Sequence, residues 1–156
     1  MNHNRRDYCY VGLQGVLLLA YLLPVRLIDV SVPPTLRWLA LGVVALGGLL
    51  DLLALLRLGR QLSPFPTSVT AGKLITTGVF AYARHPIYSG ILLFALGGSI
   101  FTQSIYRLII SVLLLMLFYF KSRYEEELLL QQFPAYTDYR RRVGRFGPFP
   151  IGRGRR

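Results

Sequence analysis

The chain has 156 residues, 53% of them hydrophobic, a mean hydropathy of +0.46 and a formal net charge of +11. That length allows one domain, too apolar for an ordinary soluble one, and the lone Cys9 excludes an internal disulfide. The basic residues gather between and after the apolar runs, which suits an anionic membrane surface and makes nucleic-acid binding the weaker account of the charge.

Residues 8–23 form the first apolar run, slightly short of the ~20 residues usual for a crossing. A basic start with Arg5 and Arg6 also fits a signal peptide, but no small-x-small cleavage site precedes Pro24, so a retained helix is expected. Residues 35–58 predict a second crossing, with Trp38 at one interface, Arg57 snorkelling at the other, and Gly42, Gly47 and Gly48 leaving surfaces for a neighbouring helix. Asp51 is costly within it: it either contacts a ligand or lies close enough to the boundary to find water or Arg57.

Residues 59–85 change character, because Pro64, Pro66, Gly72 and Gly78 break regular structure. Phe65, Phe80 and Tyr82 argue against disorder, so a partly ordered flap on the membrane surface is expected. Residues 86–101 and 105–121 predict a third and a fourth crossing, joined by Thr102, Gln103 and Ser104. Gly90, Gly97, Gly98 and Ser99 would let this hairpin pack closely; a re-entrant hairpin that does not fully cross is the alternative. The helical pattern continues past residue 121 as a charged, amphipathic projection that Phe133 and Pro134 end, and an Arg-rich tail completes residues 122–156.

The expected fold is therefore all-α: a single membrane domain of about four transmembrane helices, the last continuing as a cytoplasmic helix. The positive-inside rule places both termini and the 59–85 loop in the cytoplasm. Two polar islands then share that side: Arg84-His85-Pro86-Ile87-Tyr88-Ser89-Gly90, and Glu125-Glu126-Glu127. Pro86 suits the first turn of a helix, whose N–H groups and dipole favour an anion, with Arg84 and His85 at the entrance. Glu125 and Glu126 would attract an ammonium group, so together the islands complement a zwitterion. The plainer account is a snorkelling arginine beside a solvated helix face, with Glu125 paired to Lys121 and Glu127 to Arg123. Two histidines, His3 and His85, are too few and too far apart to suggest a metal site.

These residues resemble a known family. Gly78, Phe80, Arg84, His85, Pro86, Tyr88 and Gly90 follow the G-x-Y/F-x-x-x-R-H-P-x-Y-x-G signature of the isoprenylcysteine carboxyl methyltransferase and phospholipid methyltransferase superfamily. Glu125, Glu126, Leu129, Phe133, Tyr136 and Tyr139 are similar to its E-E-x-x-L-x-x-x-F-x-x-Y-x-x-Y signature. The resemblance covers residues 58–143 and leaves out the first crossing and the Arg-rich tail. It implies an integral-membrane methyltransferase that uses S-adenosylmethionine, without a metal, on a lipophilic acceptor reached from the membrane lipids. The acceptor would be an isoprenylcysteine-like carboxylate or a phospholipid amine. Arg84 and Glu126 become the catalytic candidates. Gly78, Tyr82, His85, Tyr88, Gly90, Glu125, Glu126 and Tyr136 become cofactor-binding candidates, with Glu126→Gln and His85→Ala expected to spare stability. The short chain looks bacterial, pointing to an inner membrane. A sterol-reductase-like enzyme binding NADPH and a non-enzymatic membrane adaptor are the alternatives.

Overall fold

A computed structural model describes residues 5–25, 27–28, 30–59 and 73–148. Arg60, Pro64, Phe65, Pro66 and Gly72, on which much of the expected flap rests, lie outside the described residues. The described chain is helical: α1 (Arg5–Leu22), α2 (Pro34–Leu58), a short 3-10 helix (Gly78–Ala81), α3 (Pro86–Phe101), α4 (Ile105–Gln132) and α5 (Tyr136–Arg142). Among the described residues the only strand-like pairing is an isolated parallel bridge between Ala83 and Gly144.

Local chemistry sets most of these boundaries. Pro34 and Pro86 open α2 and α3 where a missing N–H costs nothing. Gly59 closes α2 with a φ of 52°, a left-handed conformation that glycine adopts without strain. Ser104 caps α4 by accepting the backbone N–H of Arg107 at 3.2 Å. Phe133 and Pro134 end α4, as expected, and α5 starts two residues later.

α2 and α4 are long and apolar enough to cross a membrane, whereas α3 is apolar but has 16 residues. Only 17% of the most apolar α2 window is buried, and Trp38, Leu39 and Leu56 stand about 70% exposed, the reverse of a soluble core helix. α4 has 28 residues, or ~42 Å, so it outruns a bilayer core of ~30 Å and projects beyond it.

The helices run antiparallel to their packing partners, α2 on α3, α3 on α4 and α4 on α1, so α3 lies between α2 and α4. The apolar core sits where α1, α3 and α4 meet, around Leu17, Leu92, Leu114 and Phe118. Tyr21 of α1 donates to the Ala95 carbonyl at 2.8 Å, and Tyr106 of α4 donates to the Ala20 carbonyl at 2.9 Å. A smaller cluster, Leu129, Tyr136, Tyr139 and Val143, fastens α5 and the following chain to the projecting end of α4.

The glycines correct one expectation. Gly90 and Gly97 face α2, not α4: a Cβ on Gly90 would collide with Asp51 Oδ1 and meet the Gly47 carbonyl at 2.7 Å, and one on Gly97 would meet the Ala40 carbonyl at 2.8 Å. Gly98 faces the Tyr21 hydroxyl of α1. Of the four residues assigned to the α3–α4 hairpin, Ser99 alone serves it, with its Oγ 3.1 Å from Ser111 Oγ. Gly42 and Gly48 have open space around them, so within α2 only Gly47 makes a close approach. The neighbour expected for Asp51 is also elsewhere, since Arg57 donates to Thr77 Oγ1.

Candidate functional site

One end of the bundle gathers the start of α1, the end of α2, the start of α3 and the projecting half of α4. There the two polar islands become one cluster centred on Glu126, whose side chain is 2% exposed. Arg84 reaches Glu126 Oε1 through Nε at 3.0 Å and Nη2 at 2.8 Å. Arg145 donates from Nε to Oε1 and from Nη2 to Oε2, both at 3.2 Å, and Arg140 Nε lies 3.5 Å from Oε2.

Glu125 is buried beside it. Its Oε1 accepts the Tyr88 hydroxyl at 2.6 Å, and its Oε2 lies 3.4 Å from His85 Nδ1. The other His85 nitrogen, Nε2, lies 3.3 Å from Glu126 Oε1. The imidazole therefore bridges two carboxylates, an arrangement that its doubly protonated form satisfies. Burial alone would lower the His85 pKa, but the hydrogen bonds and charges of Glu125 and Glu126 outweigh it and raise the pKa above the usual histidine value. Burial would conversely raise Glu126, yet hydrogen bonds from His85 and Arg145 and the charges of His85 and Arg84 hold it down at about 2. With His85 protonated, Arg84, Arg140, Arg145 and His85 face two carboxylates, a positive surplus suited to an anion.

The backbone explains why these side chains converge. Arg84 N–H donates to the Gly144 carbonyl at 2.9 Å and His85 N–H to the Arg145 carbonyl at 3.0 Å, so residues 143–146 lie along the start of α3. Arg84 Nη1 also donates to the carbonyls of Arg140 at 2.8 Å and Val143 at 2.7 Å, clasping the segment after α5. On α4, Phe118, Lys121, Ser122, Glu125, Glu126 and Leu129 recur at helical spacing and are all buried, so the carboxylates share the stripe that packs inward. Aromatic rings line the floor: His85 and Tyr88 stack with centroids 5.4 Å apart, and Tyr88 and Phe118 at 4.5 Å.

The candidates do not all meet here. Arg84, His85, Tyr88, Glu125 and Glu126 form the cluster, and Tyr136 lies against it, buried, with its hydroxyl lacking a hydrogen-bond partner. Burial first, then the Glu126 charge, pushes the Tyr136 phenol well above its ordinary value, so it stays neutral. Gly90 lies on the other side of α3, in the α2 seam. Gly78, at a φ of 65°, packs near the Arg57 side chain, and Tyr82 is 69% exposed on the surface. Glu127 is exposed, unlike its two neighbours.

The Arg-rich tail supplied no candidate for the site, yet Arg140, Arg145 and Phe146 belong to the walls of the cluster. The signal in the sequence was charge balance: two buried carboxylates require cations, and the basic segment beginning at Arg140 supplies them. The burial of Glu126 also changes the expectation for Glu126→Gln. Removing one partner from a buried ionic cluster leaves the others uncompensated, at a cost of ~3–5 kcal/mol.

The chain is similar in sequence to several methyltransferases. Over 108 residues the chain is 32% identical to a protein-S-isoprenylcysteine O-methyltransferase of Schizosaccharomyces pombe, an alignment covering 67% of this chain and 46% of that protein. It is 35% identical over 78 residues to the Saccharomyces cerevisiae protein of the same name, covering 49% of this chain and 33% of the relative. A probable protein-S-isoprenylcysteine O-methyltransferase of Oryza sativa subsp. indica is 29% identical over 161 residues, covering 94% of this chain and 84% of that protein. The chain thus spans less than half the length of the two fungal relatives. The phospholipid methyltransferase family matches residues 35–135, a stretch containing Arg84, His85, Glu125 and Glu126. With the first signature and the Glu125–Phe133 part of the second inside a match that covers most of the chain, this membrane protein belongs to the phospholipid methyltransferase family.

Proposed function

We propose that the chain is an S-adenosylmethionine-dependent methyltransferase that modifies a lipophilic acceptor at the cytoplasmic face of the membrane. The acceptor group is the carboxylate of an isoprenylcysteine-like molecule or the amine of a phospholipid headgroup. The observation that carries this reading is the convergence of Arg84 and His85 with Glu125 and Glu126 in one buried, positively biased cluster. The names of the fungal and rice relatives support it, and favour the carboxylate.

The residues present fit the methyl donor. Arg84 already serves Glu126 and two carbonyls, so it frames the site. Arg140, with a side chain 45% exposed at the rim, has room for the donor's carboxylate. Glu125 faces the donor's ammonium, because each of its oxygens can accept beyond its present partner. The unpartnered Tyr136 hydroxyl offers a further polar contact. The Phe146 ring, 6.4 Å from His85 between centroids, supplies an aromatic face suited to a positively charged sulfur. When bound, S-adenosylmethionine supplies an electrophilic methyl group that an acceptor oxygen or nitrogen displaces in line from sulfur. The chain's part is alignment and exclusion of water, which the segment 143–146 serves by covering the cluster.

Orientation follows from charge. Arg5, Arg6, Arg57 and Lys73 accompany the cluster, whereas Arg37 and Arg107 mark the other end, so the cluster faces the cytoplasm.

Calorimetry of the purified protein with S-adenosylhomocysteine and with NADPH tests the reading. Binding of the former is expected; binding of NADPH alone would point to a reductase, and binding of neither to an adaptor. Labelled methyl transfer to a farnesylated cysteine, or to phosphatidylethanolamine in vesicles, separates the two acceptors.

A further inference from the structure

Beneath the cluster lies a second polar layer that the family match does not explain, because half of it comes from α1, outside residues 35–135. Lys121 of α4 is 1% exposed, and its Nζ donates to Gln14 Oε1 of α1 at 2.7 Å. The same ammonium sits 5.3 Å from the centroid of the Tyr88 ring. Glu125 lies one helical turn further along α4, and Asp7 of α1 is fully buried at this end of the bundle.

A buried lysine is costly unless its charge is met. Here Gln14 accepts from it, the Tyr88 face attracts it, and the Glu125 carboxylate and Asp7 oppose its charge. Tyr88 in turn donates to Glu125, so Lys121 underlies both members of that pair. Its contact with the ring helps fix the direction of the Tyr88 hydroxyl, and with it the hydrogen bond to Glu125.

We infer that Lys121, held by Gln14, is a positioning residue for the Tyr88–Glu125 pair, making α1 a working part of the methyl-donor site. This rests on the reading of that site as one for S-adenosylmethionine. It assigns a role to a helix that otherwise looks like a plain membrane anchor.

The experiment compares S-adenosylhomocysteine affinity in full-length protein carrying Lys121→Met, Lys121→Arg or Gln14→Met, with circular dichroism and thermal unfolding as checks of folding. The expected result is an affinity loss of about tenfold or more in Lys121→Met, the scale of one charge-assisted contact. Lys121→Arg should recover most of it, and Gln14→Met should show a smaller loss. Wild-type affinity in a folded Lys121→Met protein would overturn the inference; if that variant does not fold, wild-type affinity in Gln14→Met does so. Failure of the unmutated protein to bind at all would instead remove the methyl-donor reading, so the two failures are distinct.

Discussion

The two faces of α3 do opposite jobs. Toward α4 the helix presents Tyr88, whose ring stacks on Phe118 and whose hydroxyl reaches Glu125. Toward α2 it presents Gly90 and Gly97, with no side chain to keep the backbones apart. Tyr88 and Gly90 are two positions apart, hence on nearly opposite sides of a helix. A single stretch of sequence thus carries a chemical face and a packing face. A residue's membership of a signature does not by itself place it beside a ligand.

Substitutions that strike one face at a time test this division. The largest effect is expected at the centre of the cluster. Glu126→Gln should abolish binding of S-adenosylhomocysteine in calorimetry and lower stability by ~3–5 kcal/mol, since several cations lose their shared partner. Binding at wild-type strength would reduce the cluster to a structural device.

Gly90→Ala strikes the other face. Its new Cβ would fall 2.7 Å from a backbone carbonyl, which cannot swing aside, as well as against Asp51, so overpacking should cost ~1–3 kcal/mol. Adding Asp51→Ala should recover part of that loss in thermal unfolding, because it removes one of the two obstacles. No recovery would mean that the carbonyl alone sets the spacing.

The pH profile gives a third contrast. Glu126 is depressed to about 2, so its contribution is present above the unfolded carboxyl range, ~4.3, and disappears as pH falls toward 2. His85 is raised, so its contribution is full below ~6.5 and disappears as pH rises through its folded pKa. Stability in thermal unfolding should therefore fall at both extremes, with the acid limb missing in Glu126→Gln and the alkaline limb missing in His85→Asn.

The smallest effect belongs to Ser99, on the α4 side but remote from the cluster. Ser99→Ala should cost ~1 kcal/mol and leave affinity unchanged, because Ser111 keeps its bond to the Arg107 carbonyl. A change in affinity would show that the chemical face extends beyond the first turns of α3.

Much of this was legible in the sequence. Pro34, Pro86 and Ser104 mark helix starts by rules that act within a few residues, and the predicted boundaries fall close to them. The first helix begins three residues earlier than expected, at Arg5 instead of residue 8. The two polar islands were visible as charge among apolar runs, and their meeting follows from antiparallel topology. What could not be read was direction around a helix axis. The apolar residues of α2 and α3 surround their axes almost evenly, so no stripe announces that Gly90 faces Asp51 and not α4. The Arg145–Glu126 and Lys121–Gln14 contacts join residues 19 and 107 positions apart, a separation that no local pattern encodes.

The bridge between Ala83 and Gly144 has a consequence for synthesis. Glu126 leaves the ribosome before Arg140 and Arg145, and its earlier partners Arg84 and His85 wait just ahead of α3. While the last turns of α5 are still unmade, the nascent chain holds its carboxylates with only part of their counter-charge. The site is completed by almost the last described residues to be translated. Premature termination just before Gly144 would leave the four long helices encoded in full yet remove Arg145 from around Glu126.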